Sequence, residues 1–166
     1  MDFEITHQVA ASPEALSQAL LDEEYQSSLH DIGALHDREL LSQEEIGDGK
    51  VKRRVRSVLD IELNPTVRRL IGDGDPAWIE ESVWHPDKLQ WEWDIHPEIG
   101  GDLLEARGTI DIEGSGDKSA RHVRGHVKVR VPLYGGKVEG WIVEGLEAAY
   151  EEEADRLTAW IEREKA

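Results

Sequence analysis

The chain has 166 residues, and 19 Lys and Arg against 36 Asp and Glu give it a formal charge of −17. That field repels phosphate backbones and anionic lipid, which argues against nucleic acid as a partner, while the absence of cysteine excludes disulfides, thiol catalysis and thiolate metal sites. No window approaches a membrane span and Met1-Asp2-Phe3-Glu4 lacks signal-peptide character, so we expect one domain over residues 1–166, cytoplasmic and without stable membrane insertion.

Residues 3–9 alternate Phe3, Ile5, His7 and Val9 against Glu4, Thr6 and Gln8, the pattern of a half-buried strand. The period then changes. Ser12-Pro13-Glu14 is a helix start, Ser12 serving as N-cap and Pro13 as the first helical residue, and a second helical piece is expected over residues 23–32. Strands follow over 35–46 and 50–61, closed by Gly47-Asp48-Gly49 and Asn64-Pro65. Residues 66–71 read as one or two helical turns ended by the loop Gly72-Asp73-Gly74-Asp75-Pro76. Strands over 77–85 and 88–96 meet at Pro86-Asp87, and those over 103–113 and 119–131 meet across Gly114-Ser115-Gly116-Asp117. The short links predict an antiparallel sheet.

Residues 136–166 read as one amphipathic helix. Val138, Trp141, Ile142, Gly145, Leu146, Ala149, Leu157, Trp160 and Ile161 recur at spacings of three and four, while Glu139, Glu144, Glu147 and Glu151 belong to the polar face. At about 1.5 Å per residue the helix would run on the order of 45 Å, enough to cross a sheet. Valines at 123, 127, 129 and 131, with Gly125 among them, predict the covered sheet face, on which Leu104, Ala106, Gly108, Ile110 and Ile112 also lie.

A two-residue loop at Pro86-Asp87 would set Trp84 opposite Leu89, Ser82 opposite Trp91, Glu80 opposite Trp93 and Trp78 opposite Ile95. Trp78, Trp84, Trp91 and Trp93 then share one face, with Trp141 opposite them on the helix. Burying four such rings removes roughly 600 to 1000 Å² from water, about 15 to 25 kcal/mol as an upper bound. The rings either fill the core or wall a pocket, and Gly108, Gly125 and Gly145, which remove side chains from the same space, favour a cavity.

The element order strand, two helices, six strands, long helix resembles the START-like (SRPBCC, Bet v 1-like) superfamily. More narrowly it is similar to a branch of uncharacterised proteins, which share the junction Pro-Leu-x-Gly-Gly-Lys-x-Glu seen at Pro132 to Glu139 and an opening like Met1-Asp2-Phe3-Glu4-Ile5. The resemblance implies an α+β helix-grip fold: a seven-stranded curved antiparallel sheet wrapped around the C-terminal helix, two short helices after the first strand, and a cavity that in relatives holds lipids, sterols or polyketides.

The expected function is therefore binding or transport of a small apolar molecule. The alternatives are a cyclase, aromatase or dehydratase in which Glu80 or a cavity histidine moves protons, and a co-chaperone-like interaction module whose protein partner is left open. The expected ligand-binding residues are Arg53, Trp78, Glu80, Ser82, Trp84, Trp91, Trp93, Val127, Trp141 and Gly145. Arg53 and Glu80 should pair with each other, meet a ligand or reach solvent, because a buried unpaired charge costs several kcal/mol. No metal or cofactor is expected: His122 and His126 sit beside Arg124, Lys128 and Arg130, and no Gly-x-Ser-x-Gly elbow or phosphate loop is present. Residues 64–76 are the expected lid.

Overall fold

The computed structural model describes residues 1–165. Strand β1 (Asp2–Val9) leads into α1 (Pro13–Leu21) and α2 (Glu23–Ser28). Strands β2 (Leu35–Gly47) and β3 (Lys50–Leu59) precede α3 (Pro65–Ile71). Then come β4 (Ala77–His85), β5 (Gln90–Pro97), a 3-10 turn (Gly101–Leu103), β6 (Leu104–Ser115), β7 (Lys118–Val129) and α4 (Gly135–Glu164). The strands form one seven-stranded antiparallel sheet in the order β1-β7-β6-β5-β4-β3-β2, and α4 lies along its inner face with a shared apolar core between them. This is the expected helix-grip arrangement.

Local chemistry sets the element starts. Ser12 Oγ accepts from Ala15 N at 3.1 Å ahead of Pro13, and Asn64 Oδ1 accepts from Val67 N at 2.9 Å ahead of Pro65, so each helix begins with a side-chain cap and a proline in its first turn. The expected second helix is shorter than its sequence window, ending at Ser28. At the junction, Gly135 is obligatory because a Cβ there would run into Val129 O. Glu139, assigned to the polar face of α4, is instead buried and accepts from Val129 N at 2.8 Å, so it satisfies the end of β7.

The β4–β5 hairpin differs from expectation in a particular way. Its loop has four residues, 86–89, with Leu89 in the left-handed region at φ 50°, and the pairs are Trp84 with Trp91, Ser82 with Trp93, Glu80 with Ile95 and Trp78 with Pro97. The register is thus displaced by two residues from the two-residue-loop expectation. Side chains alternate with a period of two, so this displacement changes every cross-strand neighbour but no residue's face. The four tryptophans all stay on the covered side, each at most 4% exposed.

Three inner-face rows follow from the pairing. One runs Val51, Trp84, Trp91, Ile110, Val123, Ile5; the next Gln43, Arg53, Ser82, Trp93, Gly108, Gly125, Phe3; the third Leu40, Val55, Glu80, Ile95, Ala106, Val127. Strand β2 enters these rows through two bulges, between His36 and Glu39 and between Leu40 and Ser42. The first, with Asp37 at φ 49°, shifts the phase by one residue, so that Arg38 and Leu40 face inward.

Candidate functional site

Two small voids remain between the sheet and α4. One, of about 60 Å³, is walled by apolar side chains: Trp78 and Leu59 from the sheet, Val138 and Ile142 from α4, and Val67 and Ile71 from α3. The other, of about 50 Å³, is polar, lined by Arg38, Arg53, Glu80, Trp91, Tyr150 and Glu153. Trp78 and Glu80 are alternate residues of β4, and Ile142 and Leu146, which line the apolar and polar voids respectively, are one turn apart on α4. Two separate voids therefore follow one another along the trough between the sheet and α4, roughly 7 Å apart along the strand and with no lining residue in common.

At the polar end the guanidinium groups are anchored by helix-end carbonyls. Arg53, 8% exposed, donates to Leu20 O at 2.6 Å and more weakly to Gln43 Oε1 at 3.4 Å, and its Cζ lies 4.1 Å from the centre of the Trp91 ring. Arg38 donates to Gln26 O at 2.9 Å and Gln26 Oε1 at 2.8 Å. Burial lowers the Arg53 pKa to about 10, with the nearby Arg38 charge adding to it. Cation–π contact with Trp91 offsets part of that desolvation.

Glu80 has no such anchor. Among the described residues its carboxylate, half-buried, accepts no hydrogen bond and has no cation within 4.0 Å, so the expected Arg53–Glu80 ion pair is not formed. Burial raises its pKa, against the opposing pull of Arg38 and Arg53. Tyr150 beside it is raised well above the phenol's ordinary range by burial and by the Glu80 and Glu153 charges. Ser82 Oγ, Trp91 Nε1, Trp93 Nε1 and Tyr25 Oη are also buried without partners among the described residues.

Below the polar void lies a closed ion pair that the sequence reading did not identify. Arg121, fully buried, is in contact with Glu153, donates to Tyr150 O at 3.0 Å and approaches His7 Nδ1 at 3.4 Å. Burial, then Arg121, lowers the His7 pKa. Arg121 alternates with Val123 on β7, and Glu153 sits four residues after Ala149 and four before Leu157 on the apolar stripe of α4. Extending the two periodicities by one position would have revealed both residues.

The expected site residues separate accordingly. Arg53, Glu80 and Trp91 line the polar void, Trp78 the apolar one, and Ser82 lies between Arg53 and Trp93 in its row. Trp84 packs on Trp91 with centroids 5.4 Å apart, as filler behind the chamber, and Val127 is fully buried in the core. Trp93 covers the sheet's centre: a Cβ on Gly108 would come within 2.6 Å of its ring, and one on Gly125 within 2.8 Å of it and 2.5 Å of Phe3. These glycines make room for a tryptophan, not for a guest. Gly145 is filled in the same way, by Leu59 at 2.8 Å. Trp141 stands apart from the tryptophan set, half-buried beside Lys137, whose Nζ is 5.3 Å from the ring centre, and next to an open groove with Ile61 and Glu62.

The outer sheet face holds Glu81, Asp94 and His96 close enough to share a cation, a grouping not apparent from sequence. Glu81 is already met by protein cations, with Arg54 3.3 Å and Lys52 3.9 Å away. No described helix is long and apolar enough to cross a membrane.

Known structures share this architecture. The aromatase/cyclase Zhui from Streptomyces sp. R1128 is 13% identical with a TM-score of 0.69, covering 100% of this chain and 96% of its own. TTHA0849 from Thermus thermophilus is 17% identical with a TM-score of 0.69, covering 96% and 98%. A START superfamily protein from Mycobacterium smegmatis is 20% identical with a TM-score of 0.60, covering 98% and 97%. At these identities the likeness establishes the fold alone. No curated protein sequence matches. A family profile described as protein of unknown function (DUF2505) matches residues 4–161, and the chain accordingly belongs to that family, built on the START-like helix-grip fold.

Proposed function

We propose that this protein binds a small, largely apolar molecule bearing one polar group, its body at the α3 end of the trough and its polar group at the Arg53–Glu80 end. The observation that carries this reading is the Glu80 carboxyl, left without a partner beside the Arg53 and Arg38 guanidinium groups, with the buried and unpartnered Trp91 Nε1 and Ser82 Oγ next to it. Each such group costs about 1–3 kcal/mol in a filled core, and a guest or ordered water that satisfied several of them would recover that cost. Apolar walls leading away from a polar end suit an amphipathic guest.

The trough is narrow as it stands. Ligand pockets are typically about 300–1000 Å³, far above the two voids. Entry therefore requires a wall to move, and α3 is the wall best placed to do so. It contributes only Val67 and Ile71 to the apolar void, and it ends in Gly72 and Gly74 at φ 97° and 118°, backbone conformations that glycine adopts without strain. A guest passes between α3 and α4.

Native mass spectrometry of the protein purified from cells, followed by extraction and titration of any released molecule against tryptophan fluorescence, tests the reading. A co-purifying amphiphile that quenches the tryptophans and slows hydrogen exchange across residues 66–76 is the expected result. A clean apo mass, with no response to a broad panel of fatty acids, sterols and polyketides, would oppose it.

A second reading rests on Glu80 itself. A carboxyl whose pKa is raised by burial, lining a small chamber, is poised to donate a proton to a carbonyl or hydroxyl, as a cyclase- or dehydratase-type enzyme requires. Turnover of a bound polyketide-like substrate that survives Glu80→Gln would remove this reading while leaving binding intact.

A further inference from the structure

Donors outnumber acceptors in the polar chamber. Arg53 spends only Nη1 on protein acceptors, so its Nε and Nη2 have none among the described residues. Tyr150 Oη has no protein partner there either, and the Trp91 ring that lines the chamber carries an Nε1–H without an acceptor. Among the described residues of the chamber, the acceptor-rich group without an anchor is the Glu80 carboxyl, because Glu153 is committed to Arg121. A guest that satisfies this set must bring acceptors and negative charge. An amine would meet Arg38 and Arg53 at once, and a neutral hydroxyl would leave most of the donors unfilled. A void of about 50 Å³ suits a planar carboxylate better than a phosphate. Arg53 is held over the Trp91 ring, its Cζ 4.1 Å from the ring centre, which fixes a guanidinium whose remaining N–H groups can grip a carboxylate.

We infer that the chamber is a receptor for the carboxylate of an apolar monocarboxylic acid, taken by Arg53, Arg38 and Tyr150, with Glu80 in its protonated form donating to the same carboxylate. The inference rests on the reading of the trough as a ligand site and names the class of its guest. When Glu80 is ionised before binding, one proton is taken up from solvent and shared between the two carboxyl groups. Acid binding therefore weakens as pH rises through the Glu80 ionisation.

The groups facing Glu80 are Arg38 on β2, Arg53 on β3, Tyr150 and Glu153 on α4 and Gln26 on α2, with Asp94 of β5 acting on it at longer range. Arg53 loses its proton only near 10 and Tyr150 is pushed above its ordinary range. His7 contacts Arg121 and does not line the chamber. Glu80, raised by burial, is thus the chamber group to follow above the ordinary carboxylate range, in a pH series run from 5.5 to 8.

The test is tryptophan-fluorescence titration with decanoate, decan-1-ol and methyl decanoate at several pH values over that range, on the wild-type protein, Glu80→Gln and Tyr150→Phe. Decanoate should bind at least tenfold more tightly than the alcohol or the ester at pH 5.5. Its affinity should fall by up to tenfold per pH unit above the Glu80 ionisation. Glu80→Gln, which keeps the shape and removes the charge, should bind decanoate as well at pH 8 as at pH 6. Tyr150→Phe should weaken decanoate several-fold and methyl decanoate little. Equal, pH-independent binding of all three probes would overturn the carboxylate assignment and leave the trough as a ligand site. No binding of any probe by folded protein would overturn the trough reading, and the carboxylate assignment with it.

Discussion

The two ends of the trough are built from the same pleated sheet and the same face of α4, yet they differ in what covers them. Over the polar end lie α1 and α2, whose terminal carbonyls, Leu20 O and Gln26 O, anchor Arg53 and Arg38. Over the apolar end lies α3, which offers only the side chains of Val67 and Ile71 and hangs from a glycine-rich loop. Charged groups can be held in a protein interior only where backbone acceptors or a counter-ion are supplied, and an apolar contact is far easier to open than an anchored guanidinium. The difference assigns recognition to one end and access to the other.

The strongest way to break that contrast is to attack the ion pair beneath the polar end. Arg121→Met leaves Glu153 buried without its partner and should cost about 3–5 kcal/mol in urea denaturation, while Arg121→Met with Glu153→Leu should recover most of it. Equal losses in single and double variants would show that the pair does not anchor this end. Next in size is the middle of the trough. Gly125→Ala should cost about 1–3 kcal/mol because its Cβ meets Phe3 and Trp93, and adding Phe3→Leu should relieve part of that loss. Full additivity of the two changes would mean that the ring contacts are not what the glycine protects.

A smaller effect follows from Glu80. Its folded pKa is raised by burial, so the stability it contributes is present below the unfolded carboxyl pKa and is lost as pH rises through the folded value. Glu80→Gln should therefore match wild type near pH 4 and melt higher near pH 8, with the gap opening between. A constant offset across that range would place Glu80 in solvent. The smallest effect is expected outside the trough: Trp141→Ala should change stability by no more than about 1 kcal/mol and leave decanoate binding untouched.

Much of the fold was legible because its signals are periodic. The face of every tryptophan on β4 and β5 survived an error of two residues in the hairpin register, since alternation fixes the face while the loop fixes the neighbours. Other features lie beyond alternation. The bulge at Asp37 turns Arg38 inward, and a bulge leaves no dependable trace in a strand as polar as β2. Glycines at 108, 125 and 145 remove side chains, but only coordinates show whether a void or a neighbour fills the space. Trp141 follows the apolar spacing of α4 yet sits at the edge of the stripe, where a large ring packs partly against the rim of the core and partly beside Lys137. Glu139 looks like a polar-face residue until the backbone N–H of Val129, which ends β7, is seen to need it.

The most direct test is a crystal structure of the protein soaked or grown with decanoate at pH 6. The carboxylate should lie within about 3.2 Å of Arg53 or Tyr150 and against Glu80. The chain should run past Trp78, with Val67 and Ile71 displaced outward on α3. A trough still as narrow at both voids, with α3 in place and decanoate absent or held on the outer sheet face, would contradict that placement.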